Sequence, residues 1–359
     1  MDYHIWASER ATFKRCRRQW DLGSPNRRDL EPVDASPTDP LPDAIKDALA
    51  VYYYPGMWDW QSTIVLPLVY KALRRSLSDV GREDLIGVAE EVLEQYVVHA
   101  SKVDDFSPIK IDHDVYGILP DPNDPSSGLV TADGQRVLYA DRVDLLAVDS
   151  NDNYWVILHQ LVDKWQDLDA MLLDEDAVAA CWTWEQSYVG VHLTGTIHNE
   201  VRPVPVPAGR RRNVELPLRR GLAQNEPSGG GRSIGQHRRL FGRQLESATT
   251  DRVEQQETGI VRRTKISRTR EEIEGMGRQI GLEALEMVDS RLALYPNPTR
   301  ANCTQCPFVA PCLTMKEGAD VAELLASGYR QRPQEQAVQP RLGAVTWGTN
   351  RGAAPPRFG

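Results

Sequence analysis

The chain has 359 residues and a formal net charge of -9 at neutral pH, so it can form one large domain or two small ones, and its surface cannot attract nucleic acid over its whole area. The first twenty residues are charged and contain no apolar run, so we expect no signal peptide. No apolar run reaches the roughly 20 residues that a membrane helix needs, and we therefore predict a cytoplasmic protein without membrane contact.

Four regions follow one another along the chain. Residues 1–30 are a basic segment, and residues 31–105 are a predicted helical region that begins with a linker rich in Pro and Asp. Within it, AIKDALAVYYY, QSTIVLPLVYKALRRSL and GREDLIGVAEEVLEQYVVHASK have apolar residues at helical spacing. Residues 106–330 are predicted to form an α/β core. Residues 331–359 are rich in Gln, Pro and Gly and are predicted to be disordered.

Two adjacent strands are the clearest feature of the predicted core. GQRVLYADRVDLLAV and YWVILHQLV are rich in β-branched and aromatic residues, and the turn sequence DSNDN separates them. This pattern predicts two neighbouring strands joined by a short loop. A helix over about 170–188, a strand in VGVHLTGTIHNEV and a helix in EEIEGMGRQIGLEALEMVDSRL are predicted to follow.

Three of the five cysteines lie close together near the C-terminus. Cys303, Cys306 and Cys312 have the spacing C-x2-C-x5-C, which leaves a four-thiolate metal site one ligand short. Cys16 is the best fourth ligand, because Cys181 lies in the apolar segment AVAACWTW and reads as a buried core thiol. Zinc and a 4Fe-4S cluster both accept four cysteines. The alternative is that these thiols are unrelated to one another.

The cysteine pattern resembles the iron–sulfur subgroup of the RecB-like nucleases, in the PD-(D/E)xK superfamily, which includes AddB-type helicase–nucleases and a CRISPR-associated exonuclease. The segments FKRCRRQW and LYPNPTRANCTQCPFVAPC and the predicted strand pair are also similar to that family. The resemblance implies an α/β fold in which helices flank a mixed central sheet. It also implies a four-cysteine clasp between the two ends of the fold, and it favours a 4Fe-4S cluster over zinc.

The same resemblance places the catalytic positions. Asp144 matches the metal-binding aspartate of the first strand, with Asp141 where the family has glycine. Leu158 and Gln160 stand where the second strand has its carboxylate and lysine, and Lys46 stands where a helix has its histidine. A leucine cannot bind Mg²⁺ or Mn²⁺, and a neutral amide is no base. We therefore predict an impaired centre, a pseudonuclease in which Asp144 is a residual metal position and Mg²⁺ or Mn²⁺ is bound only if activity remains.

Two rearrangements would restore a nuclease centre. Asp163 and Lys164 follow closely and could enter the site, or His159 could become a ligand if the strand slipped by one residue. Such a slip would turn the apolar side chains of the strand to the wrong face. Asp144 could also be a surface carboxylate or form an ion pair with Arg142.

Positive charge is concentrated between residues 202 and 270, where 16 Lys and Arg face 6 Asp and Glu. Clustered arginines contact phosphates and stack on bases. Seven of them are predicted to contact nucleic acid: Arg210, Arg211, Arg212, Arg238, Arg239, Arg262 and Arg263. The alternatives are a solvated loop and a docking site for an acidic protein. Together these features predict a DNA- or partner-binding component in DNA processing. The alternatives are an active metal-dependent DNA exonuclease and a structural subunit of an assembly.

Overall fold

A computed structural model of the chain describes residues 2–34, 39–203 and 252–332. Its helices are α1 (Ala7–Arg15), α2 (Arg17–Gly23), α3 (Leu41–Tyr52), α4 (Ser62–Asp79), α5 (Ile86–Val103), α6 (Leu168–Leu172), α7 (Glu175–Ser187), α8 (Arg270–Val288), α9 (Arg300–Cys303), α10 (Val309–Lys316) and α11 (Ala322–Gly328). Its strands are β1 (Tyr3–Trp6), β2 (Leu30–Pro32), β3 (Phe106–Ile118), β4 (Pro120–Asp121), β5 (Asp124–Gly128), β6 (Val137–Asp149), β7 (Tyr154–Leu161), β8 (Leu193–Val201), β9 (Val253–Thr258), β10 (Val261–Ser267) and β11 (Tyr329–Gln331). Across these ranges no helix combines the length and the apolar character needed to cross a membrane.

The central sheet is mixed and has seven strands, with helices packed against it, as the resemblance implied. Strand β6 pairs antiparallel with β3 along nearly its whole length. It also pairs in parallel with β1 over residues 137–140 and antiparallel with β7 over residues 145–148. A strand has two edges, so β1 and β7 must share the edge opposite β3. Between them, residues 141–144 of β6 have no strand partner on that edge.

Each face of the sheet has its own hydrophobic core. Helices α3, α4 and α5 cover one face, and α7 and α8 cover the other. Side chains alternate between faces along a regular strand, yet Val143 belongs to the second core and Leu145 to the first. Strand β6 therefore changes face at Asp144. On the neighbouring strand, Asp112 lies between the paired residues 111 and 113 and has a φ of 41°, an uncommon conformation outside glycine.

The predicted elements of the core are confirmed in most places. The hairpin is present, with Leu145 paired with Ile157 and a turn that follows Asp149. The three helices predicted in residues 44–103 are α3, α4 and α5. The helix predicted over about 170–188 is two helices, because Asp174 accepts hydrogen bonds from the backbone N–H groups of Asp176 and Ala177 and so starts α7. The predicted disordered tail lies almost wholly outside the described residues.

Two glycines of α8 provide a matched test of its packing. A Cβ added to Gly277 would lie 2.2 Å from Nε1 of the buried Trp182. A Cβ added to Gly275 would have no neighbour closer than the Arg278 guanidinium, at 3.7 Å. We expect Gly277→Ala to lower the free energy of unfolding by about 1–3 kcal/mol through overpacking. Gly275→Ala should instead raise it by up to about 1 kcal/mol, because alanine favours helix. Urea unfolding measures both, and equal effects would contradict the packing of α8 on α7.

Candidate functional site

Asp144 lies where β6 loses its strand partners, and a lysine is bound to it. The Lys46 ammonium on α3 is 3.1 Å from each carboxylate oxygen of Asp144. Oδ2 of Asp144 also accepts a hydrogen bond of 2.9 Å from the backbone N–H of His159 on β7. The ion pair of Asp144 is thus with Lys46, while Arg142 pairs with Asp112. The structure therefore brings together the two positions, 46 and 144, that the resemblance aligned.

Strand β7 presents no further metal ligand beside Asp144. Its last recorded pair with β6 is Ile157 with Leu145, so the next position along β7, opposite Asp144, is Leu158. Leu158 packs against the core beneath α7 and α8. Gln160 follows two residues later, and its Oε1 is buried with no hydrogen-bond partner in the described chain. Leu158, opposite Asp144, therefore offers no ligand atom to a metal ion at that carboxylate.

The two rearrangements considered from sequence are not found. The ring of His159 is buried in the opposite core, stacked 5.7 Å from Tyr53, with Nδ1 2.8 Å from the amide nitrogen of Asn199. Burial lowers the pKa of His159 to about 4. Asp163 and Lys164 are exposed and lie beyond the end of β7. The pairing of β7 with β6 keeps the register in which the apolar side chains of β7 face the two cores. A slip by one residue would move them to the wrong faces.

A second carboxylate, Asp141, lies within the same unpaired stretch of β6. Its pKa is raised to about 7, mainly by burial and in part by the neighbouring Asp176 and Asp144, although the backbone N–H of Arg142 donates to its Oδ1 at 2.7 Å and lowers it. Asp176 is an exposed residue that pairs with the buried Arg10, whose guanidinium also binds Glu175 and Glu283. The side chain of Arg10 is only 1% exposed, and nothing in the basic segment of the sequence distinguished it from its neighbours.

The raised pKa of Asp141 makes stability depend on pH. Between pH 3.8, the ordinary pKa of an aspartate, and about pH 7, Asp141 stays protonated in the folded protein but is ionised in the unfolded chain. The contribution of Asp141 to the free energy of unfolding therefore falls as the pH rises through this range. Asp141→Asn should match the wild type near pH 4 and be more stable by about 2 kcal/mol at pH 8, a value reduced because the side chain is only half-buried. Urea unfolding at both pH values tests this. The control is Asp59→Asn, at an exposed position. A stability difference between Asp141→Asn and the wild type that is the same at both pH values would contradict the prediction.

Arg262 and Arg263 are interior residues of strand β10, which corrects their assignment as nucleic-acid contacts. The Arg262 guanidinium pairs with Glu200 and donates to the carbonyl oxygen of Gln166. The Arg263 guanidinium pairs with the equally buried Asp104. Ion pairing is what allows such charges to be buried. The other five candidates, Arg210, Arg211, Arg212, Arg238 and Arg239, lie outside the described residues.

The four cysteines of the predicted clasp come from both ends of the fold and approach one another. The pKa of the Cys306 thiol is raised, mainly by burial and in part by the nearby thiols of Cys16, Cys303 and Cys312. The backbone N–H of Asn297 contacts Sγ of Cys16 at 3.5 Å, and the guanidinium of Arg18 contacts Sγ of Cys312 at 3.7 Å.

The approach of these thiols stops short of a ligand set. Among residues 2–34, 39–203 and 252–332, no three His, Cys, Asp or Glu side chains meet in an arrangement that could hold a metal ion. Cys181 lies apart from this group in α7, fully buried, as predicted, and burial raises the pKa of its thiol to about 12.

Comparison with known proteins gives little further information. No family model matches the chain, and no curated protein matches it. One similar solved structure is the crystal structure of SSO0001, which has a TM-score of 0.21 and 11% sequence identity. The match covers 48% of this chain and 66% of that chain, slightly less than two thirds of its length. A TM-score this low carries no inference about fold or function.

Proposed function

We propose that this chain is a RecB-like, PD-(D/E)xK nuclease-fold protein with a degenerate catalytic centre, which acts as a DNA- or partner-binding component in DNA processing. The observation that carries the proposal is the contact between Lys46 and Asp144. A divalent cation bound by Asp144 would have to displace an ammonium that already neutralises both carboxylate oxygens at 3.1 Å.

The surroundings of Asp144 support the loss of activity. Metal-dependent phosphodiester cleavage needs several oxygen ligands and a group that positions the attacking water. Leu158 supplies neither, and Gln160 has no charge to contribute. Groups that act as one catalytic unit fail together when several are removed, so the remaining Asp144 is not expected to sustain cleavage.

The thiols of Cys16, Cys303, Cys306 and Cys312 are proposed to bind a 4Fe-4S cluster, with zinc as the alternative. Four cysteine ligands are the right donor chemistry for either, and the effect of the other three thiols on Cys306 supports their convergence. Binding would require the thiols to come closer than they lie here. Such a cluster would join the start of the fold to its end and stabilise both.

DNA binding is proposed for the basic side chains near the N-terminus, together with the arginines between residues 202 and 251. Arg15 and Arg28 are exposed, and Arg17, Arg18 and Arg27 are partly exposed beside them. Clustered guanidinium groups bind phosphates by charge and by paired hydrogen bonds. The acidic remainder of the chain would not attract DNA.

The test uses protein purified without oxygen, Mn²⁺, and end-labelled single- and double-stranded DNA. We expect the labelled DNA to shift on a native gel and to remain uncut, with Asp144→Ala giving the same result. Cleavage that disappears in Asp144→Ala would show an active centre and contradict the proposal. Absence of any shift at low salt would contradict DNA binding and leave a protein partner as the remaining function.

A further inference from the structure

The central sheet has an exposed apolar face at the end that carries β1. Strand β6 contributes Val137, Tyr139 and Val143 to the core beneath α7 and α8, so the even-numbered side chains between them point to the opposite face. Two rows of paired residues share that face across β1, β6 and β3: His4, Leu138 and Ile118 in one row, and Trp6, Ala140 and Tyr116 in the other. We call these six residues the open face.

The described helices on this side of the sheet leave the open face exposed. Among the described residues, the core beneath α3, α4 and α5 includes none of its six members. Ile118 is 52% exposed and Tyr116 is 39% exposed, and the others are partly exposed apart from the buried Ala140. The rings of His4 and Trp6 lie 5.5 and 6.2 Å from that of Tyr116, so the surface is continuous across the strands. A continuous exposed apolar surface indicates an interaction site.

The size of the open face limits what can cover it. Neighbouring strands are about 4.8 Å apart and residues on one face of a strand are about 7 Å apart, so the two rows cover on the order of 200 Å². A stable complex of separate proteins buries about 800 Å² on each partner. A second copy would therefore need much additional contact area. A segment of the same chain would not, because its tether gives it an effective concentration in the millimolar range.

The described part of the chain ends close to the open face. Arg332 and Trp6 line the same cavity, which has a volume of about 550 Å³. Residues 333–359 follow, and their most apolar stretch is LGAVTW, at residues 342–347. The ten residues that lead to this stretch can span up to about 33 Å, which is more than enough to cross the cavity. The other long segment outside the described residues joins β8 to β9, which lie two and four strands away from β6.

Charge favours the same occupant. Residues 333–359 contain three arginines and one glutamate, whereas the whole chain has a net charge of -9. In the wall of the cavity that adjoins Trp6, three carboxylates outnumber two guanidinium groups: Glu9, Glu31 and Asp114 against Arg142 and Arg332. A basic segment is attracted to an acidic body of this kind.

We propose that residues 342–347 dock on the open face and cover Tyr116 and Ile118. Val345 and Trp347 are two residues apart in this stretch, so an extended chain presents both on one side. Docking removes apolar surface of the segment and of the sheet from water at the same time, which is favourable for both. This inference is independent of the proposed DNA binding, because it uses neither the basic N-terminal side chains nor Asp144.

The experiment is a photo-cross-link in purified full-length protein. Ile118 is replaced by the photoreactive amino acid p-benzoylphenylalanine, and the linked peptides are identified by mass spectrometry. We expect a link to residues 342–347 within one molecule, with a yield that does not depend on protein concentration. The control carries the same amino acid in place of Val189, which is 96% exposed just after α7. It should give no link to residues 342–347.

Variants of the segment test whether its apolar side chains hold it in place. Val345→Asp combined with Trp347→Ser should lower the yield of the Ile118 link by at least about 10-fold, because the burial of two apolar side chains is lost. Thr349→Ser, outside the stretch, should leave the yield unchanged. A link from position 118 to a second molecule or to residues 204–251, no link at all, or a yield that survives the double substitution would each overturn the proposal.

Discussion

Replacing Arg263 with methionine is expected to lower the free energy of unfolding by about 3–5 kcal/mol. The reason is the partner left behind: Asp104, with 6% of its side chain exposed, would lose the only cation that the described structure places against its carboxylate. Burial alone would lower the pKa of Arg263, but Asp104 outweighs it and the pKa is raised. Urea unfolding at pH 7 measures the loss.

Two further variants make this result specific. Arg291→Met removes an arginine whose side chain is 89% exposed, and its effect should stay within about 0.5 kcal/mol. Adding Asp104→Asn to Arg263→Met should recover part of the loss, because the uncompensated charge is then gone. A loss below about 1 kcal/mol for Arg263→Met would mean that the pair is hydrated and contributes little.

Replacing Cys306 or Cys16 with serine is expected to remove most of the iron from protein purified without oxygen. The visible absorption of the cluster should disappear, and the midpoint of thermal unfolding should fall by several degrees or more, because ligation of a metal cluster contributes directly to folding. Each variant removes one ligand of the proposed cluster, Cys16 from one end of the fold and Cys306 from the other, so both should give the same loss. Iron analysis and thermal melts followed by circular dichroism provide the measurement.

The matched control is Cys181→Ala, which removes a thiol buried in α7. It should keep its full iron content, although the lost packing will lower stability slightly. Iron retained in Cys16→Ser would show that the fourth ligand lies elsewhere. Wild-type protein that contains zinc, or no metal, would contradict the assignment of the cluster.

Local patterns in the sequence were sufficient to predict most helices and strands of the core. The hairpin could be predicted because β-branched residues flank a turn of Asp and Asn, and the turn forms with Asp152 at a φ of 61°. Strand β1 could not be predicted, because its four residues become a strand only by pairing with residues 137–140, far along the chain. The change of face at Asp144 was also hidden, since alternation predicts a uniform strand.

Long-range partners explain the misassigned arginines. Arg262 and Arg263 are adjacent in sequence and read as a solvated pair, yet Glu200 and Asp104 neutralise them from 62 and 159 residues away. The Lys46 contact with Asp144 spans 98 residues, and only the family resemblance aligned the two positions. A sequence shows which residues are cationic. Whether such a residue is buried depends on the carboxylates that the fold places beside it.

The pairing of β2 with β11 has a consequence for the order of folding. These short strands join residues 30–32 to residues 329–331, and Arg330 forms an ion pair with Glu31 at 2.8 Å. During synthesis, which adds about 5–20 residues per second, the N-terminal segment must therefore wait for almost the entire described chain before it can complete its contacts. Closing so long a loop is slow, so the pairing of β2 with β11 is expected to form after the central sheet.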